Sequence, residues 1–278
     1  MKSLYDSVSF KLSELLTKNY STSFSMGIRL LNPKLRAPIY AIYGFVRLAD
    51  EIVDTFHDYD KEKLFLRFKQ NLEHALEEKI SVNPLLNSFQ AVVHKYNIER
   101  ELIDAFLYSM EMDLDKKDYD RKDFNKYVLG SAEVVGLMCL RVFTGGDEKV
   151  YQNLKPYGMK LGAAYQKINF LRDLKADFDG MGRTYFPQID LDHFSESDKK
   201  IIEEEIHQDF MKGLEGIKML PDSSRLGVYL SFVYYFKLFK KIQKLPAGKV
   251  RKKRIRISNF RKIILLLITY IRFKLKLV

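Results

Sequence analysis

The chain has 278 residues, 46% of them hydrophobic and 30% charged, enough for one large globular core, and its single cysteine excludes an intramolecular disulfide. The formal net charge of +11 is unevenly spread: residues 237–278 hold fifteen Lys or Arg and no Asp or Glu, which leaves the first 236 residues at −4. A mildly acidic body with a strongly basic tail points to a tail that meets an anionic surface, either membrane or nucleic acid.

Apolar residues recur at three- and four-residue intervals almost throughout, and strict alternation over a strand length is rare, so the pattern predicts an all-α fold. One domain is expected over 1–278, with 237–278 as its basic C-terminal segment. The first predicted helix, 4–18, has no uninterrupted apolar run, so no signal peptide is expected there. Ser21, Thr22, Ser23 and Ser25 form a hydroxyl cluster that reads as a helix N-terminal cap, with anion binding as the second reading. Asn32-Pro33 then opens a helix over 34–56. On it Tyr43, Arg47, Asp50 and Asp54 step by 4, 3 and 4 and form one polar stripe. Ile39, Ile42, Phe45, Val46, Leu48, Ile52 and Val53 nearly encircle that stripe, which suggests that it lines an internal cavity. Glu51 should point away, toward solvent or another helix.

Further helices are predicted over 60–79, 85–96 (after Asn83-Pro84), 99–116 and 123–143. The acidic run at 110–115 precedes a polar turn and reads as mainly structural. Cys139 sits in Leu137-Met138-Cys139-Leu140, the setting of a buried, inert thiol. Asp147 begins a helix over 148–177, where Gln166, Asn169, Asp173 and Asp177 step by 3, 4 and 4, with Gly162 one turn earlier on that face. Like charges at that spacing do not stabilise a helix; they make sense with a cation between them. Magnesium is hard, prefers oxygen ligands and completes its shell with water and substrate phosphates. Phe178 to Pro187 holds two glycines and a proline and is predicted to be a loop that folds over the site. Ser195 and Asp198 form a capping box before a helix over 198–217, followed by helices over 223–244 and 256–275. The apolar run Ile263–Ile271 has nine residues, too few to span a bilayer, which takes roughly 20. Between basic flanks it reads either as an interfacial helix on anionic lipid or as the last core helix. The five histidines lack zinc-site spacing, and no dinucleotide fingerprint, P-loop or nucleophile elbow is present.

Three segments together carry a family resemblance: Tyr20 to Ser25 (YSTSFS), Tyr40 to Asp54 (YAIYGFVRLADEIVD), and Gln166 to Asp177 (QKINFLRDLKAD) followed by Gly182 to Pro187 (GRTYFP). They resemble the squalene/phytoene synthases, and the likeness runs from about residue 15 to 262. Ala132 to Gly136 is similar to that family's small-residue helix segment, past which the prenyl chain runs. Many relatives carry a His and a Lys where this chain has Tyr20 and Thr22.

The resemblance implies an isoprenoid synthase fold with a central cavity, and head-to-head joining of two prenyl diphosphates through a cyclopropylcarbinyl diphosphate. It implies a metal set of Asp50, Asp54, Asn169, Asp173 and Asp177 for magnesium, with manganese as a substitute. Ser23, Tyr43, Arg47, Gln166 and Arg172 would contact diphosphate or support that shell. Phe24 and Tyr185 would flank the reacting carbons, and Gly136 would let the chain pass. The motif wording is most like bacterial phytoene synthases, which implies geranylgeranyl diphosphate as substrate and no NADPH. The alternative is a C30 synthase that makes dehydrosqualene or squalene from farnesyl diphosphate. The expected setting is cytoplasmic, on the inner face of a membrane with anionic lipid. Nucleic acid is not expected, because the tail has few aromatics and an aliphatic centre.

Overall fold

The structure, a computed structural model, describes all residues except 116–118, 182–184, 188–193, 253 and 276–278, and leaves the side chains of 115 and 175–181 undescribed. Thirteen α-helices and one π-helical turn make up the described part, and no strand occurs among the described residues. They are α1 (Lys2–Tyr20), α2 (Thr22–Arg29), α3 (Pro33–Asp54), α4 (Lys61–Glu78), α5 (Pro84–Tyr96), α6 (Arg100–Asp115), α7 (Arg121–Val128), α8 (Val134–Phe143), α9 (Glu148–Met181), α10 (Glu196–Met219), α11 (Asp222–Gln243), α12 (Ala247–Lys252) and α13 (Asn259–Lys274). The all-α expectation holds.

The start signals work as their chemistry requires. Asn32 and Asn83 accept from the first-turn amides of Lys34 and Leu85, each with Pro at the first helical position. Ser195 and Asp198 close a reciprocal capping box, and the Asp147 carboxylate accepts from the Val150 amide. Ser21 caps α2 by accepting from the Phe24 amide, so the hydroxyl cluster is the cap it was expected to be. Two short helices, α2 and α12, were not separately visible in the periodicity, because eight and six residues give too few turns for a repeat to register.

Two boundaries depart from the sequence pattern. The helix expected over 123–143 is broken by a π-helical turn at Leu129–Glu133. Gly130 in that turn packs so tightly on α6 that an added Cβ would lie 2.4 Å from the Ala105 carbonyl oxygen. The extra residue of a π turn lets the chain meet that constraint while still presenting Ser131 and Ala132 to the interior. The second departure is α9, whose backbone stays helical to Met181 and so takes up the first residues of the expected loop.

Buried apolar residues from Ile28 to Ile255 form one cluster. Phe45 of α3 is its centre, stacked on Phe89 of α5 with ring centroids 3.9 Å apart and packed on Phe68 and Phe106. This cluster fixes α3 from behind and leaves its polar stripe facing the other way.

Candidate active site

Two chains of neighbouring groups relate α3 to α9. Tyr43 of α3 lies close enough to Tyr235 of α11 for the hydroxyls to interact electrostatically, and Tyr235 stacks on Tyr165 of α9 at 4.1 Å. Further along, Asp50 of α3 feels the charge of Asp113 on α6, Asp113 accepts a hydrogen bond from Tyr185, and Tyr185 stacks on Phe170 of α9 at 4.2 Å. The order 43 then 50 on one helix matches 165 then 170 on the other, so the two helices run in the same direction. Their acidic ends therefore lie at the same end of the molecule.

Below that end is an apolar cavity of about 240 Å³. Phe24 and Gln166 stand at its top, Gly136, Gly158 and Gly162 along its walls, and Phe143, Leu154 and Leu220 at its far end. At two of these positions backbone approaches backbone: a Cβ on Gly162 would lie 2.6 Å from the Ala132 carbonyl oxygen, and one on Gly136 would lie 3.2 Å from that of Gly158. Cys139, expected to be inert and buried, is partly buried and lines this wall, and desolvation pushes its thiol up to about 12, so it stays protonated.

None of the α3 stripe residues, expected to line an internal cavity, is among those that line this one, to which α3 contributes Ile39. Phe24 stacks on Tyr43 at 5.1 Å, and burial pushes the Tyr43 hydroxyl up to about 12, which keeps it a hydrogen-bond donor. Arg47 lies over the Tyr20 ring with its guanidinium carbon 4.4 Å from the centroid. Tyr20, the departure from the relatives' pattern, thus holds an arginine rather than supplying a cation. Glu51 does not point away as expected: it pairs with Arg47 one turn earlier. Desolvation, followed by the charge of Asp54, pushes the Asp50 carboxyl up to about 7, with Arg47 opposing. Ser23 is partly buried in the first turn of α2.

On α9, the Asn169 amide donates to Gln166 at 3.3 Å. Arg172 grips its neighbour Asp173 through Nε at 3.1 Å. Asp173 also pairs with Arg254 at 2.7 Å. Arg254 thereby joins this group, whereas the sequence placed it only among the fifteen Lys and Arg of the basic segment 237–278. No helical spacing links it to α9, so only the folded chain reveals the pairing. The side chain of Asp177 and residues 182–184 lie outside the described part.

The acidic run at 110–115 also does more than expected. Asp113, 4% exposed, accepts from the hydroxyls of Tyr127 at 2.6 Å and of Tyr119 and Tyr185 at 3.4 Å. Tyr185 sits in this cluster with Tyr119, Tyr127 and Phe170 rather than on the wall of the apolar cavity. A buried carboxylate holding three tyrosines beside Asp50 orients that edge of the site. Asp113→Asn replaces one acceptor oxygen with a donor, and we expect it to cost about tenfold or more in turnover with only a modest rise in KM. Steady-state kinetics with a far-ultraviolet circular dichroism control checks this, since a purely structural role would move both parameters with the fold.

Among the described residues no cluster of three or more His, Cys, Asp or Glu forms a metal site. The donor set still suits magnesium. Of the four buried side-chain polar atoms with no hydrogen-bond partner among the described residues, three border this site: Arg47 Nε, Tyr165 Oη and Asn169 Oδ1. An unpaired buried amide oxygen and a carboxylate raised by burial and then by its neighbour's charge are both relieved by a hard cation and its phosphate.

A family model for squalene/phytoene synthase matches residues 17–261. Among curated relatives, phytoene synthase 1 of Solanum lycopersicum is 28% identical over 272 residues, covering 90% of this chain and 65% of that protein. A presqualene diphosphate synthase of Sinorhizobium fredii is 34% identical over 176 residues, covering 62% of this chain and 60% of that protein. The chain thus spans less than two thirds of the length of either. Among solved structures, a dehydrosqualene synthase in complex with ligand superposes with a TM-score of 0.81 at 21% identity, covering 97% of this chain and 98% of the other. A squalene synthase from Alicyclobacillus acidocaldarius gives 0.74 at 20% identity, covering 85% and 93%. The fold is therefore that of the squalene and dehydrosqualene synthases.

Proposed function

The chain belongs to the squalene/phytoene synthase family, and from that premise we propose that it joins two prenyl diphosphates head to head, making phytoene from geranylgeranyl diphosphate. The observation that carries this is the juxtaposition of two environments: a group of carboxylates and guanidinium groups adjoins an apolar cavity through Phe24, stacked on Tyr43, and Gln166, bonded to Asn169. That pairing suits a molecule with an anionic head and a long hydrocarbon tail.

In this reading Arg47, Arg172 and Arg254 receive the diphosphate oxygens, and Tyr43 donates to the same group. Asp50, Asp54, Asn169, Asp173 and Asp177 would hold magnesium, which when bound supplies charge neutralisation for the leaving diphosphate. Phe24 and Tyr43 present stacked aromatic faces at the head of the cavity, where a developing allylic cation gains from π electrons. The apolar wall below excludes water, so the cation meets the second prenyl chain rather than hydroxide. Loss of a proton, rather than hydride delivery, ends the sequence at phytoene, and no NADPH is required.

Cavity length supports the C20 substrate. From Gln166 to Leu154 is twelve residues of α9, about 18 Å of helix. An extended prenyl chain advances on the order of 5 Å per five-carbon unit at a C–C bond of about 1.5 Å. A C15 chain therefore stops short of Leu154, while a C20 chain reaches it. The C30 alternative keeps support from the 34% identity to a presqualene diphosphate synthase.

Leu154→Phe, which fills the far end, is expected to lower C20 turnover about tenfold while sparing C15, a discrimination typical of methylene-scale changes in an apolar pocket. Competition between labelled C15 and C20 diphosphates, read by hydrocarbon chromatography, checks it. Equal loss on both substrates would move the chain-length wall elsewhere.

A further inference from the structure

The C-terminal helix is amphipathic in the reverse sense for a core helix. Its one buried residue is Thr269, on the side that packs against α11, where Tyr234 donates to the Lys262 carbonyl at 2.8 Å. The opposite side carries Phe260, Ile263, Ile264, Leu267, Ile268 and Ile271, between 39% and 73% exposed. Steps of 3, 1, 3, 1 and 3 place these six on one stripe, about 17 Å long. Of the two readings that the sequence left open for Ile263–Ile271, packing as a core helix is therefore the one the structure overturns. The run is apolar because of what it meets outside the molecule.

Charge selects that partner. Fifteen Lys or Arg and no acid occupy 237–278, and Arg261, Arg272 and Lys274 are exposed along the ridge. A second copy would bring two such basic segments face to face, which like charges oppose. An anionic lipid surface accepts both parts, the ridge in the acyl boundary and the cations among the headgroups. No described helix is long and apolar enough to cross a membrane, so the contact lies in the interface. Its place in the fold also fits. Arg254, five residues before α13, pairs with Asp173, and Lys262 lies within electrostatic reach of Arg172. The ridge thus stands beside the polar end of the cavity.

We propose that the exposed face of α13 seats the protein on an anionic lipid surface, with the polar end of the cavity beside that surface. A prenyl substrate dissolved in the bilayer would then reach the site without crossing water. That last consequence rests on the proposed function, but the binding itself does not.

The test is sedimentation of the full chain with vesicles of phosphatidylcholine alone or mixed with phosphatidylglycerol. Binding should rise with phosphatidylglycerol and fall as salt is added. Leu267→Glu combined with Ile271→Glu, both on exposed positions, should weaken binding about tenfold or more. Arg261→Gln combined with Arg272→Gln should weaken binding to the anionic vesicles about tenfold. Circular dichroism and turnover of detergent-dispersed substrate should stay at the parent level in both variants. Equal binding to both vesicle types, or undiminished binding of the Glu variant, overturns the inference. So does a dimer in sedimentation velocity that the Glu variant dissociates with no vesicle binding by the parent, which would make the face an interface between copies. Vesicle binding without any condensation of prenyl diphosphates would instead overturn the proposed function alone.

Discussion

Asp50→Asn and Asp173→Asn are each expected to lower turnover of a prenyl diphosphate about 100-fold or more, with helical content unchanged. Each removes a carboxylate from the end of the cavity proposed to hold an anionic head and its counter-ion. Removal of magnesium by chelation should have the same effect as either substitution. The two variants should differ in stability. Burial and Asp54 hold the Asp50 carboxyl up near 7 in the folded chain, while the unfolded chain releases that proton at about 4. Between those values the folded state binds more protons than the unfolded, so stability falls as pH rises through that window. Asp50→Asn removes this effect, and metal-free protein carrying it should melt higher than the parent at pH 8. Asp173 is paired by two arginines, so its loss should give no such gain. Activity within a few-fold of the parent at saturating substrate in either variant would count against the carboxylate assignment.

Gly162→Ala is expected to destabilise the fold by about 1–3 kcal/mol or more and to reduce turnover with it. The new Cβ would lie 2.6 Å from the Ala132 carbonyl oxygen and 3.0 Å from the Ala132 carbonyl carbon and the Glu133 Cα. All three are backbone atoms of the π-helical turn, so nothing can rotate away and α9 must move off it. Because Ala132 and Gly162 both line the cavity, that shift also widens the channel at its head. Gly158→Ala is the contrast. Its Cβ would meet only Leu140 Cδ2 at 3.5 Å and Leu137 Cδ2 at 3.8 Å, ordinary contact distances. That change should be neutral or stabilising, because alanine favours a helix over glycine by about 1 kcal/mol. Thermal melts of the two variants read the difference directly, and similar melts would contradict the close approach of α9 to the π turn.

The sequence was most legible where chemistry and helical period coincide. The stripe Tyr43, Arg47, Asp50 and Asp54 could be set apart from the packed faces of α3 because apolar residues occupy the rest of its surface, and Phe45 does pack behind it, although the cavity is lined from α3 by Ile39 and not by the stripe. Asn32, Asn83 and Ser195 announced helix starts because their side chains have few other places to bond. What stayed hidden depends on contacts distant in sequence. Arg254 reaches Asp173 across 81 residues, and Asp113 gathers tyrosines from three segments. The π turn at Leu129–Glu133 leaves no periodic trace, since one extra residue in a long apolar run shifts the repeat by less than a turn. Glu51 was assigned outward from its angular position, yet a long side chain one turn from Arg47 bends to the guanidinium.

The most direct test of the central claim is the product formed when the purified chain is incubated with magnesium and labelled geranylgeranyl or farnesyl diphosphate, without NADPH. Phytoene is the expected product, with two prenyl chains joined head to head and diphosphate released. A C30 hydrocarbon from farnesyl diphosphate at a far higher rate would correct the chain length and keep the chemistry. Recovery of intact substrate, or of prenyl alcohol with no carbon–carbon joining on either substrate, would contradict it.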